Sequence, residues 1–116
     1  MMRTGSLAFL VAAILLAGFA VFGNQRNKNN RTAPQLYSRY CASCHGTDGR
    51  AKTSKGKFSH ARDLTDAQWQ NDVTDERIFN SIMNGRNVRG NMPAFSDKLN
   101  EKEVDSLVST VRKFKG

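Results

Sequence analysis

Residues 36–49 read LYSRYCASCHGTDG. Both cysteines of the chain, Cys41 and Cys44, lie in this stretch, and one of its two histidines, His45, follows at once. Leu36, Tyr37 and Tyr40 precede them at helical spacing, so a helix is expected to run into the C-x-x-C-H sequence. On a helical turn Cys41 and Cys44 fall on one face, with His45 beside them. Three ordinary uses of paired cysteines fit poorly. A thioredoxin-like pair sits at a helix start after a strand, and no strand-like alternation precedes Cys41. A structural zinc site needs four ligands, which would take both cysteines and both histidines, with His60 in a loop far from the pair's turn. A disulfide between Cys41 and Cys44 closes a tiny loop and stabilises little.

The remaining use is covalent haem attachment, of which C-x-x-C-H is the signature. The two thiols meet the two vinyl groups of a porphyrin as thioethers, and the His45 imidazole lies under the iron. One turn of chain then binds the haem and supplies an axial ligand.

Around this stretch the chain is short, 116 residues and 12.9 kDa. That is one domain with short appendages, and it excludes a doubly wound nucleotide-binding enzyme or a barrel. Hydrophobic residues make up 39% of the chain, enough for a globular protein. They are unevenly placed: fifteen of the sixteen residues from Leu7 to Phe22 are apolar, Gly18 being the exception. Residues 1–23 therefore read as a signal peptide or a membrane anchor, an N-terminal hydrophobic helix ahead of the domain. The apolar part of a cleaved signal runs to about 15 residues and a span needs about 17–25. Gly5 to Gly23 makes 19, and neither Ala20 nor Gly23 ends a clean A-x-A cleavage site. Residues 24–32, NQRNKNNRT, form a polar tether. Residues 33–116 are left for the folded domain. Its core must be small, and small cores often need a cofactor to complete them.

From Ala33 to Phe114 the sequence resembles the class I c-type cytochromes. The resemblance rests on LYSRYCASCHGTDG (36–49), RDLTD (62–66), IFNSIMNGRNVRGNMPAF (78–95) and LNEKEVDSLVSTVRKF (99–114). It implies an all-α fold of three to four helices around one covalently bound haem c, with Cys41 and Cys44 as thioether positions and His45 as proximal ligand. In that family a methionine, often followed by proline, is the distal ligand, and Met92-Pro93 matches the position. Proline cannot continue a helix and holds its neighbour extended, which suits a loop presenting a thioether. Met83 and His60 are the rivals. Met83 falls at helical spacing with Phe79 and Ile82, where core packing explains it. His60 lies in a run rich in Lys and Ser and reads as an exposed loop residue. One departure stands out. Many members carry a proline after the haem motif whose carbonyl orients the proximal histidine, and no proline lies between Cys44 and Met92. The acceptor for the His45 ring N–H is thus not given by the sequence.

The remaining pattern is helical. Thr32 can cap a helix from Ala33, with Pro34 in its first turn. Asp72 or Thr74 can cap a second, with Ile78, Phe79, Ile82 and Met83 as its stripe and Gly85 at its end. Asn100 and Glu103 resemble a capping box ahead of Val104, Leu107, Val108 and Val111. The resemblance implies that the first and last helices pack together. Between Gly46 and Asp63 the apolar residues are Ala51, Phe58 and Ala61, so haem must supply apolar surface there. Trp69 reads as a packing aromatic near the haem edge.

A haem iron bound by His and Met has no open position, so the implied function is one-electron transfer rather than catalysis. The alternatives are a haem-containing subunit of a larger oxidoreductase, and a haem sensor or peroxidase with a labile Met92. The chain carries 18 Lys and Arg against 10 Asp and Glu. Arg50, Lys52, Lys55, Lys57 and Arg62 cluster in one loop, and Arg86 and Arg89 flank the Met92 segment. Such a rim would steer redox protein partners with an acidic docking surface. Nucleic-acid binding is not expected, since few aromatics interleave with the charge. The expected molecule is a monomer on the periplasmic side of the cytoplasmic membrane. It is either anchored through residues 5–23 or soluble after signal cleavage.

Overall fold

The computed structural model describes Gly18 and residues 30–116. The expected leader, the hydrophobic helix within residues 1–23 and nearly all of the tether lie outside the described residues. Among the described residues no helix is long and apolar enough to cross a membrane. Those residues form six helices: α1 (Ala33–Tyr40), α2 (Ala42–His45), α3 (Ser54–Phe58), α4 (Ala67–Asp72), α5 (Asp75–Asn84) and α6 (Glu101–Arg112). No strand forms among them; Arg86 and Met92 make one isolated antiparallel bridge.

Six helices form where the resemblance implied three to four. The additional ones are short, and two of them, α3 and α4, are set by side-chain caps rather than by an apolar stripe. In α3 the Thr53 Oγ1 accepts from Gly56 N at 2.9 Å, and in α4 an Asp66 carboxylate oxygen accepts from Trp69 N at 2.8 Å. Helices of five or six residues are too brief to show a 3.6-residue period. The longer helices follow the expected signals. At α5 the cap is Thr74, whose hydroxyl accepts from Arg77 N at 3.1 Å, while Asp72 belongs to α4. At α6 both bonds of the capping box form, Glu103 N to Asn100 Oδ1 at 2.9 Å and Asn100 N to Glu103 Oε2 at 3.1 Å.

The core lies where α1 and α5 pack against α6. Leu36, Val104 and Leu107 are fully buried, and each such side chain contributes roughly 1.5–3 kcal/mol over its exposed state. Tyr37 packs against Phe114 with ring centroids 5.2 Å apart and the ring planes tilted by 46°. Its hydroxyl donates to Gly46 O at 2.7 Å, which ties α1 to the end of the haem motif. A polar strap closes the other end. Gln70 Nε2 donates to Leu64 O at 2.8 Å and to Val111 O at 2.9 Å. Arg112 donates to Gln70 O at 2.7 Å and Val73 O at 2.6 Å. Gln70 and Val111 lie in the last turns of α4 and α6, Val73 is the C-cap of α4 and Leu64 lies in the turn before α4. The strap fixes α4 and the start of α5 against the end of α6, and so sets one wall of the cavity described next.

Candidate haem-binding site

A cavity of about 920 Å³ opens between the helices. It falls at the upper end of the range of ligand pockets, about 300–1,000 Å³. Cys41, Cys44 and His45 line it from α2 and the residue before it. Leu64, Trp69 and Val73 line it from around α4, and Ile78 and Ile82 from α5. Met92, Pro93 and Phe95 contribute from the loop after α5, and Leu107 and Val111 from α6. Met83, the rival methionine, is absent from this lining and packs on the hydrophobic core. His60 does line the cavity. The sequence placed it far from the cysteine turn, but α3 folds back so that Ser59 Oγ lies 3.8 Å from Cys44 Sγ. Gly56 makes the fold-back possible, because a Cβ there would collide with the Cys44 carbonyl.

The two thiols are unpaired and half-buried. Burial, with Cys44 adding to it, pushes the Cys41 thiol up to about 12. A redox-active or nucleophilic cysteine needs the opposite shift, so Cys41 does not suit the role of a thioredoxin-like nucleophile. Among the described residues no three His, Cys, Asp or Glu side chains gather as a free metal-ion site. What the cavity does collect is two thiols, the imidazoles of His45 and His60, and a thioether, with apolar side chains between them. That donor set fits a covalently held iron porphyrin.

His45 Nδ1 lies 2.9 Å from Arg62 O. A carbonyl oxygen can only accept, so Nδ1 carries the proton and Nε2 keeps its lone pair for a metal. Burial pushes the imidazole below its ordinary range, with the Arg62 hydrogen bond opposing. The neutral, ligating form is favoured as a result. The Arg62 carbonyl thus takes the part that the sequence left without an acceptor. A proline-based reading could not find it, since any residue offers a carbonyl.

Met92 is fixed through its backbone. Arg86 N donates to Met92 O at 2.9 Å and Met92 N donates to Arg86 O at 3.0 Å. Asn91 N donates to Ser59 O at 3.1 Å, and Phe95 N to Ile82 O at 2.9 Å. Gly85, at φ 76°, sits under this loop, where a Cβ would stand 2.7 Å from Met92 O. The loop is therefore closed at its neck and seated on α5.

Charge around the cavity is one-sided. Arg39, Lys55, Arg62, Arg77, Arg86, Arg89 and Lys98 line it, against one acid, Asp72. Arg62 lies over Trp69 with its guanidinium carbon 5.9 Å from the ring centroid, within cation–π range. Burial, and then Arg89, push the Arg62 guanidinium below its ordinary range; it stays charged all the same. Two large apolar side chains, Phe58 and Val88, stand 89% and 80% exposed on the lining.

A family model for cytochrome c oxidase, cbb3-type, subunit III matches residues 28–109. The cbb3-type cytochrome c oxidase subunit FixP of Rhizobium etli is 30% identical over 82 residues, which cover 71% of this chain and 26% of that protein. The chain thus spans about a quarter of that relative's length. Among solved structures, the KustC0563 c-type cytochrome superposes with a TM-score of 0.67 at 40% identity, over 74% of this chain and 100% of that one. Cytochrome c6C from Synechococcus sp. PCC 7002 superposes with a TM-score of 0.52 at 26% identity, over 70% of this chain and 90% of that one. With the cavity, its donor set and the matched family together, the chain belongs to the cytochrome c oxidase, cbb3-type, subunit III family, as a class I cytochrome c domain carrying one covalently bound haem c.

Proposed function

We propose that this chain is a one-electron carrier in an exported, membrane-associated electron-transfer chain. Cys41 and Cys44 form the thioethers, His45 is the proximal ligand and Met92 the distal ligand. The observation that carries this reading is that one cavity is lined by all four side chains. When bound, haem c supplies one iron centre that takes up and releases a single electron. His45 holds its ring through Arg62 O and offers Nε2. Met92 offers its thioether from a loop that its backbone closes. The apolar walls keep water out, and this ligand pair favours the reduced state relative to two histidines. Arg62, Arg77, Arg86 and Arg89 are the groups that would hold the haem carboxylates. Their guanidinium groups make no hydrogen bond or ion pair to another side chain among the described residues.

Two carboxylates offset only part of that charge, so the cavity rim stays positive. An acidic redox partner fits this rim, with exposed Phe58 and Val88 as its apolar centre. Electron exchange with an acidic partner will slow as salt rises from roughly 10 to 200 mM, because the Debye length shrinks from about 30 Å to under 10 Å. Stopped-flow rates independent of ionic strength would exclude steering by the rim.

The FixP similarity favours a narrower version, a haem-bearing subunit of a larger oxidoreductase, with residues 1–23 as its anchor. One experiment tests both. Intact mass of protein from cells competent in c-type maturation should show one haem, and potentiometric titration should follow a one-electron curve. Retention of residues 1–23 supports the anchored form, and their loss supports a diffusing carrier. A chain without haem would sink the assignment of Cys41, Cys44 and His45.

A further inference from the structure

Arg31 is the residue just before the cap of α1, and its guanidinium holds three separate parts of the domain. It forks across Glu103, Nε to Oε1 at 2.9 Å and Nη2 to Oε2 at 2.7 Å. Nη2 also donates to Lys98 O at 3.0 Å, and Nη1 to Tyr40 Oη at 3.3 Å. Glu103 is buried at the start of α6, and the Arg31 hydrogen bonds hold its carboxyl below the usual range.

Two of the three partners, Tyr40 and Lys98, line the cavity. Tyr40 immediately precedes Cys41 and lines the cavity, with its ring set edge-on to Phe95 at 5.9 Å between centroids. Phe95 is the third residue after Met92. Lys98 closes the turn that follows, its N and Leu99 N both donating to Phe95 O at 2.9 Å. Arg31 thus grips the turn after the Met92 loop by its Lys98 carbonyl and backs that turn with the Tyr40 ring. From Arg86 to Phe95 the bonds that hold the loop are backbone to backbone, and the turn after it adds an exposed Lys98–Asp97 ion pair. A bidentate arginine on a buried carboxylate is the strong kind of ion pair and fixes direction as well as distance.

We propose that Arg31 is a positioning residue for the distal ligand: by joining Glu103, Lys98 and Tyr40 it holds the Met92 loop closed over the haem. The proposal rests on the reading of Met92 as that ligand. A loop that opens more often exposes the iron to an added ligand, and apparent affinity rises with the open fraction.

The test uses carbon monoxide on the reduced holoprotein. Arg31→Met should bind it about tenfold more tightly, as a tenfold larger open fraction requires. The reduction potential should fall, and the ferric sulfur-to-iron charge-transfer band should weaken at temperatures where the helices remain intact. Arg31→Lys keeps the charge but loses the fork, and should fall between Arg31→Met and the parent; it serves if Arg31→Met does not hold haem. A lower melting temperature with carbon monoxide affinity, potential and band unchanged would overturn the proposal and leave Arg31 a structural residue. Met92→Ala separates the two readings. If it raises carbon monoxide affinity and the Arg31 variants do not, only the present proposal fails. If Met92→Ala binds carbon monoxide as the parent does, Met92 is not the ligand and both fail.

Discussion

Protein made without haem attachment will lack a cooperative melting transition and a native near-UV dichroism spectrum. The argument is volumetric. The cavity of about 920 Å³ is lined by core residues of α5 and α6 as well as by the haem motif. At about 24 cal/mol per Å³, a dry void of that size would cost about 22 kcal/mol. A small domain has about 5–15 kcal/mol in total. Flooding with water avoids the void but leaves the half-buried apolar lining, Tyr40, Trp69, Met92 and Phe95 among it, facing water instead of a porphyrin. Neither state is a stable domain, so the walls must collapse or loosen. Chain produced in a cytoplasm without the attachment machinery gives the material. Near-UV dichroism and calorimetry read the outcome. Sharp melting and native-like aromatic signals in that apoprotein would show that the helices hold the cavity open unaided.

Met92→Ala should produce the largest change in the holoprotein's chemistry. Removing the thioether frees one axial position, so the reduced protein should bind carbon monoxide readily, whereas the parent should bind it poorly. Met92→His should keep six-coordination and lower the reduction potential, on the order of 0.1 V or more within the roughly 0.8 V that axial ligands span. Spectroelectrochemistry and carbon monoxide titration check both variants. A parent that already binds carbon monoxide rapidly would instead favour the sensor or peroxidase reading. A potential unmoved by Met92→His would take Met92 out of the coordination sphere. The cavity separates Met92 from Met83, because Met92 lines it and Met83 does not; His60 lines it too, and the Met92 variants are what tell those two apart.

The parts legible in the sequence are those written as periodic or single-residue chemistry. The stripe Val104, Leu107, Val108 and Val111 and the Asn100–Glu103 box define α6 directly. C-x-x-C-H locates the cavity, since both cysteines can face one ligand only from a single turn. What was not legible depends on backbone groups or on distant pairs. The His45 acceptor is the Arg62 carbonyl, and no residue type announces a carbonyl. Helix α3 arises from one Thr53 cap inside a run of Lys, Ser and Gly, which by composition is loop. His60 comes to the cavity because that helix turns the chain back, a tertiary effect without a local signal. Arg31 reads as one more basic residue of a polar tether, and only the fold brings Glu103, 72 positions away, to meet it. Arg77 was obscured by its place on α5, where Ile78 and Ile82 dominate the pattern although Arg77 and Ser81 share the cavity side with them.

The neck of the Met92 loop has an evolutionary consequence. Arg86 and Met92 join through two backbone hydrogen bonds, and Asn91 is held through its amide. Asn87, Val88 and Arg89 project from that closed loop, all exposed. None of the bonds fixing Met92 uses their side chains. Arg89 is set apart by its place among the haem-carboxylate groups, but mutation at Asn87 and Val88 can explore new charge and shape beside the haem while the ligand stays where it is. Drift at these two exposed positions can then reshape the surface beside the redox centre without passing through a form that has lost it.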